Sequence, residues 1–110
     1  MTQLLDMHCT RNPPALGDRD IAAYLAQLDG WQHRSESAQI CREFRFKNYY
    51  ETIAFVNAVA WIANNEDHHP DMQVTYNRCT VCYTTHSVNN LSINDFVCAA
   101  KIDVLLHSAD

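Results

Sequence analysis

The feature that most limits what this chain can fold into is a double switch of hydrophobic period between Gln39 and Tyr83. From Gln39 to Phe46 the pattern alternates, with Ile40, Phe44 and Phe46 on one face and Cys41, Glu43 and Arg45 on the other. That is the pattern of a half-buried strand. After Asn48 the spacing lengthens to a helical one: Ile53, Val56, Ala60 and Ala63 form a stripe, broadened by Phe55, Val59 and Ile62. This predicts a helix buried along much of its girth, with Asn48 as its cap and Glu51 as the acidic residue of a capping box. Alternation then returns through Met72, Val74 and Tyr76, and again through Cys79, Val81 and Tyr83.

The flanks complete the pattern. Ile21, Tyr24, Leu25 and Leu28 predict a helix over 18–28, stopped by Gly30, and a short strand follows from Trp31 to Arg34. Ser35 to Ala38 is short enough for a hairpin connection. Ser92-x-x-Asp95 opens a last helix with Phe96, Val97, Ala100 and Val104 inward. Strand pairs joined by short turns and separated by helices imply an α+β fold. The expected form is a four-stranded antiparallel sheet with three helices on one face, in the order α-β-β-α-β-β-α. Residues 1–16 have no period and contain Pro13-Pro14, so they read as a loosely docked arm before a single domain over 17–110.

Several function classes are disfavoured. A net charge of −5, with eight scattered basic residues, argues against a nucleic-acid groove, which needs clustered Lys and Arg. No apolar run approaches the ~20 residues of a membrane span, and the first residues lack a basic-then-apolar signal pattern, so a cytoplasmic address is expected. The five cysteines are an odd count without disulfide-framework spacing, which suits a reducing compartment. Cys79-x-x-Cys82 lies inside a strand, where positions three apart face opposite ways. These cysteines are expected to act as small hydrophobes.

Chemistry concentrates between Glu66 and His86. His68, His69 and Pro70 close the central helix, and His86 closes the last strand. Imidazole gives or takes a proton near neutral pH. With Asn77-Arg78 as a two-residue hairpin loop, His69 falls opposite His86, and opposed Cβ atoms lie roughly 4.5–5.5 Å apart. That register also sorts Met72, Val74, Val81 and Tyr83 to the core and Gln73, Thr75, Thr80, Cys82 and Thr84 to the other face. Each histidine alone reads as a helix end or a solvated strand end; three at one rim point to a site. A zinc site using His68, His69, His86 and Cys82 is the rival, but adjacent histidines on an extended backbone chelate poorly together.

At these residues the chain resembles the pterin-4a-carbinolamine dehydratase family. His68-His69-Pro70 precede five residues and Tyr76; nine more lead to His86, and eight more to Asp95. Leu28-x-Gly30-Trp31, Thr85-His86 and Leu91-Ser92 also fit, and the likeness spans about residues 16–107. Asn64 stands where the family pattern commonly has an acidic residue, with Glu66 and Asp67 as the nearby stand-ins. The resemblance implies dehydration of a 4a-hydroxytetrahydropterin to the quinonoid dihydropterin, without metal or other cofactor. It implies His68 and His86 as the proton-transfer pair, His69 and Pro70 against the pterin, and Thr85, Asp95 and Trp31 shaping its pocket. It further implies a homodimer or homotetramer, service to an aromatic amino-acid hydroxylase, and the option of a transcription-factor partner. No direct nucleic-acid or membrane partner is expected. The competing reading is an interaction protein on the same scaffold.

Overall fold

The computed structural model describes residues 3–107, apart from the side chain of His107. Its elements follow the expected order: α1 (Asp18–Leu25), β1 (Gln32–Arg34), β2 (Gln39–Arg45), α2 (Tyr49–Glu66), β3 (Asp71–Val74), β4 (Arg78–Tyr83) and α3 (Ile93–His107). Short 3-10 turns lie at Leu4–Asp6, Ser35–Ser37 and His86–Val88. The strands form one antiparallel sheet in the order β1-β2-β4-β3. Ile40, Phe44, Cys79, Val81 and Tyr83 face the helices and are buried with Phe55, Val59, Ile62, Phe96, Val97 and Ile102. The other face carries Gln32, Arg34, Glu43, Asp71, Gln73 and Thr80, which line a polar groove of about 630 Å³.

Local chemistry explains the element ends. Asn48 caps α2 by accepting the Glu51 N–H at 2.9 Å, while Glu51 accepts the Lys47 N–H at 3.1 Å. Gly30 has φ +83°, and a Cβ there would stand 3.0 Å from Arg42 Nε, so both backbone and space require glycine. At the start of α3, Asp95 Oδ2 accepts the Ser92 N–H at 2.9 Å.

Several expectations change. The β3–β4 turn is Tyr76-Asn77, not Asn77-Arg78: the Thr75 N–H donates to Arg78 O at 2.9 Å, and Val74 pairs with Cys79. Neither Tyr76 nor Asn77 has positive φ, and Arg78 escapes the positive φ that the expected turn demanded. The α2 helix buries a stripe (Thr52, Phe55, Val59, Ile62, Ala63, Glu66), not most of its girth; Tyr50 is 82% and Trp61 68% exposed. On α3, Val104 is exposed, and Ala99 and Ile102 take the inward positions. Finally, Cys41 and Cys82 form a disulfide across the two central strands, where they are direct partners with Cα atoms 4.2 Å apart. Forty-one residues of separation hid that pairing from the sequence. Cys79, three residues away, does face the core as the strand parity requires.

The N-terminal arm is well docked. Leu4 and Pro13 are buried, and the Leu16 N–H donates to Leu91 O at 2.9 Å.

Candidate active site

His68 is placed by the way α2 ends. Asp67 adopts a left-handed conformation (φ 54°), and the His68 N–H still reaches back to Ala63 O at 3.0 Å. This turn swings the imidazole beneath the sheet edge, onto the ring of Tyr83, with centroids 5.0 Å apart and planes 24° from parallel. The Tyr83 hydroxyl donates to His68 O at 3.1 Å, so one residue holds both the ring and the backbone. His68 Nε2 meets Asp95 Oδ1 at 2.6 Å.

Asp95 is the hub. It is fully buried, and its second oxygen accepts from Thr85 Oγ1 and from the Ser92 N–H, both at 2.9 Å. Thr85 Oγ1 and Ser92 Oγ are a further 2.7 Å pair. Taking a carboxyl group this far from water is costly unless such donors surround it. Burial alone pulls the His68 pKa down. The hydrogen bond and charge of Asp95 outweigh that, and the ring holds its proton above the ordinary imidazole value. Nδ1 makes no hydrogen bond among the described residues. A protonated His68 could therefore donate from Nδ1 while Nε2–H stays anchored.

The anticipated site residues separate into groups. His68, Thr85 and Asp95 come together by direct hydrogen bonds. His69 is exposed, Pro70 half-buried, and His86 lies exposed on the 3-10 turn His86–Val88. The expected register, with His69 opposite His86, is not the observed one. The ladder runs two residues out of step with it, pairing Asp71 with Cys82 at its last rung. Both histidines still belong to the same end of the β3–β4 pair, but no hydrogen bond joins them to His68. Trp31 is tied elsewhere: its Nε1–H donates to Asp103 Oδ1 at 2.8 Å, and its ring meets Phe44 edge-on at 6.1 Å. It packs in the core rather than beside the histidines. None of the three histidines lines the polar groove on the open sheet face.

The residues expected to stand in for an acid at Asn64 have other work. Asn64 is exposed, and Glu66 turns to the arm, accepting the Cys9 N–H at 2.7 Å and pairing with His8 Nδ1 at 2.8 Å. Asp67 adds only a minor charge effect on His68, behind Asp95. Sequence reasoning missed Tyr83 as the support for His68. Strand parity assigned it to the core, but nothing in the spacing showed that its phenol reaches the end of α2. Ser92 carried a visible signal as a helix cap, though its part in the Asp95 network did not.

Comparison with known proteins shows the family. The family model for pterin 4 alpha carbinolamine dehydratase matches residues 14–105. The chain is 56% identical over 97 residues to a Nitrosospira multiformis protein provisionally named pterin-4-alpha-carbinolamine dehydratase, covering 88% of this chain and 84% of that one. A Bdellovibrio bacteriovorus protein of the same provisional name is 51% identical over 108 residues, covering 94% and 88%. The crystal structure of a transcriptional coactivator/pterin dehydratase from Brucella melitensis superposes with a TM-score of 0.79 at 33% identity, covering 83% of this chain and 97% of that one. A pterin dehydratase-like RuBisCO assembly factor of the alpha-carboxysome shares the fold, with a TM-score of 0.61 at 19% identity over 70% and 89% of the two chains.

Proposed function

The chain belongs to the pterin 4 alpha carbinolamine dehydratase family, and from that premise we propose that it dehydrates a 4a-hydroxytetrahydropterin to the quinonoid dihydropterin by histidine acid–base catalysis. The reaction breaks the C4a–O bond, releases water, and removes the N5 proton as the C4a=N5 bond forms. Hydroxide leaves poorly, so an acid must protonate it. The observation that carries the reading is the buried His68–Asp95 pair. It keeps a proton on an imidazole that burial would otherwise strip, which suits His68 to the acid role. His86, exposed at the same rim, is the proposed base for N5. His69 and Pro70 are the proposed contacts to the bicyclic ring. In this reading Thr85 and Asp95 act through His68, and Trp31 supports the fold.

The proposed setting is the recycling of spent tetrahydropterin for an aromatic amino-acid hydroxylase in the cytoplasm. Among the described residues no helix is long and apolar enough to cross a membrane. A homodimer or homotetramer is proposed because Tyr50 and Trp61 expose large apolar rings along one helix. The same face favours a second reading, a coactivator-like interaction protein; the Brucella melitensis relative is described as a transcriptional coactivator as well as a pterin dehydratase.

The deciding experiment follows freshly generated 4a-carbinolamine spectroscopically, with and without protein. Acceleration over spontaneous decay is expected, and His68→Ala or His86→Ala is expected to lower turnover by roughly 10²–10⁴-fold with the fold retained. Wild-type rates in both variants would remove the histidines from the mechanism, and no acceleration by the native protein would leave the interaction reading.

A further inference from the structure

We propose that Cys9 and Cys98 are a peroxide-responsive thiol pair whose oxidation to a disulfide staples the N-terminal arm to α3 behind His68. Their sulfur atoms lie 3.5 Å apart although 89 residues separate them in sequence. The approach is built by the surrounding structure. Glu66 accepts the Cys9 N–H at 2.7 Å and holds His8 at 2.8 Å. Thr10 and Asn94 exchange two hydrogen bonds, N–H to Oδ1 at 3.0 Å and Nδ2–H to Thr10 O at 2.9 Å. The Cys9 sulfur also lies 3.6 Å from Asn94 O, which sets it on the turn of α3 that carries Cys98. Glu66 of α2 and Asn94 of α3 thus hold the arm from two sides, and only a small closure separates contact from a bond.

The two sulfurs are unequal. Their contact, with the nearby His68 charge, favours the Cys98 thiolate against its burial, while the same contact and burial push the Cys9 thiol up. Cys98 is therefore the attacking sulfur, and Cys9, half-buried at the mouth of the pair, is the resolving group. In the first step the Cys98 sulfur attacks hydrogen peroxide: an S–O bond forms, the O–O bond breaks, and one water leaves with the proton the thiol gave up, giving a sulfenic acid. In the second, the Cys9 sulfur attacks the Cys98 sulfur. The S–S bond forms, the S–O bond breaks, and hydroxide departs with the remaining thiol proton as a second water. Two thiols and one peroxide give one disulfide and two waters. Cys41 and Cys82, on the open face of the sheet, are a separate pair already joined, and Cys79 is enclosed in the core.

The test exposes the full chain to a modest excess of hydrogen peroxide, quenches free thiols with an alkylating agent, and maps peptides without reduction. A cross-linked peptide pair joining Cys9 to Cys98 is expected, released by dithiothreitol and absent from Cys9→Ser, with the Cys41–Cys82 pair as internal reference. Amide exchange at Cys9 and Thr10 is expected to slow at least ~10-fold in the oxidised protein, because the arm can no longer lift away. Conversion of either Cys9 or Cys98 to sulfinic or sulfonic acid with the other still alkylatable would overturn the pairing. A cross-link without slower exchange would overturn the stapling.

Discussion

Two carboxylates about two turns apart on α3 organise two quite different clusters. Asp95, near the N-terminal end, is fully buried and gathers His68, Thr85 and the Ser92 N–H. Asp103, near the other end, accepts from the Trp31 indole and from Arg42 Nη1, both at 2.8 Å, and from the Asp29 N–H at 3.4 Å. Arg42 also donates to Asp29 O and lies over the Phe44 ring. Both acids fasten a helix to the sheet. They differ in what they hold. The partners of Asp103 are a guanidinium and an indole, hydrogen-bond donors without an acceptor nitrogen, so that cluster braces the fold. The partner of Asp95 is an imidazole whose second nitrogen has no hydrogen-bond partner among the described residues, so the same kind of brace also sets the proton affinity of a ring that exchanges protons near neutral pH.

The sharpest way to break the contrast is to remove each acid. Asp95→Ala should cost roughly 3–5 kcal/mol, since it leaves the His68 Nε2 and the buried Ser92 amide without their acceptor; chemical denaturation measures it. Asp95→Asn keeps the shape and loses the charge. It should lower turnover by roughly 10–100-fold and move the basic limb of the pH–rate profile to lower pH, because the support that raises the His68 pKa is gone. An unchanged basic limb would disconnect Asp95 from the chemistry.

Asp103→Asn should cost a smaller ~1–3 kcal/mol and leave the pH–rate profile where it was. The two acids also separate by pH. The folded pKa of His68 stands above its unfolded value, so its contribution to stability is complete below that unfolded value, around 6.5. It is lost as pH rises through the folded value, and His68→Ala should erase that decline. Burial raises the Asp103 pKa more than Trp31 and Arg42 lower it. Its contribution therefore fades in the acid range, as pH climbs from the ordinary carboxylate value through the folded one, and Asp103→Asn should flatten only that window. Denaturation midpoints across pH test both. The smallest effect belongs to Trp31→Phe, which loses one indole hydrogen bond for about 1 kcal/mol and should leave kcat/KM intact. A large fall in kcat/KM there would return Trp31 to the pterin pocket.

The central helix, the two alternating pairs and the caps at Asn48 and Ser92 were legible because each depends on neighbours in the chain. So were the candidate histidines, which the end of a helix and the end of a strand mark without any tertiary information. The split of Cys79 from Cys82 was legible too, since parity along a strand is local. What escaped notice was reach across the fold: the Tyr83 phenol under His68, the withdrawal of Trp31 to Asp103, the arm locked on Glu66 and Asn94, and the meeting of Cys41 with Cys82.

Sequence by itself decided which residues share a face, and that parity survived even a misplaced turn, although Val74, expected in the core, is exposed on the edge strand β3. Shifting the β3–β4 hairpin by two residues leaves every side chain on its original side, because the strand repeats with period two. For the same reason the pattern could not choose between registers two apart, and so could not decide whether His69 stands across from His86. Tertiary structure made that choice through the backbone dihedrals the turn residues accept and the packing of Tyr83 against the end of α2. It also selected, from three histidines of equal promise, the one that a buried carboxylate holds.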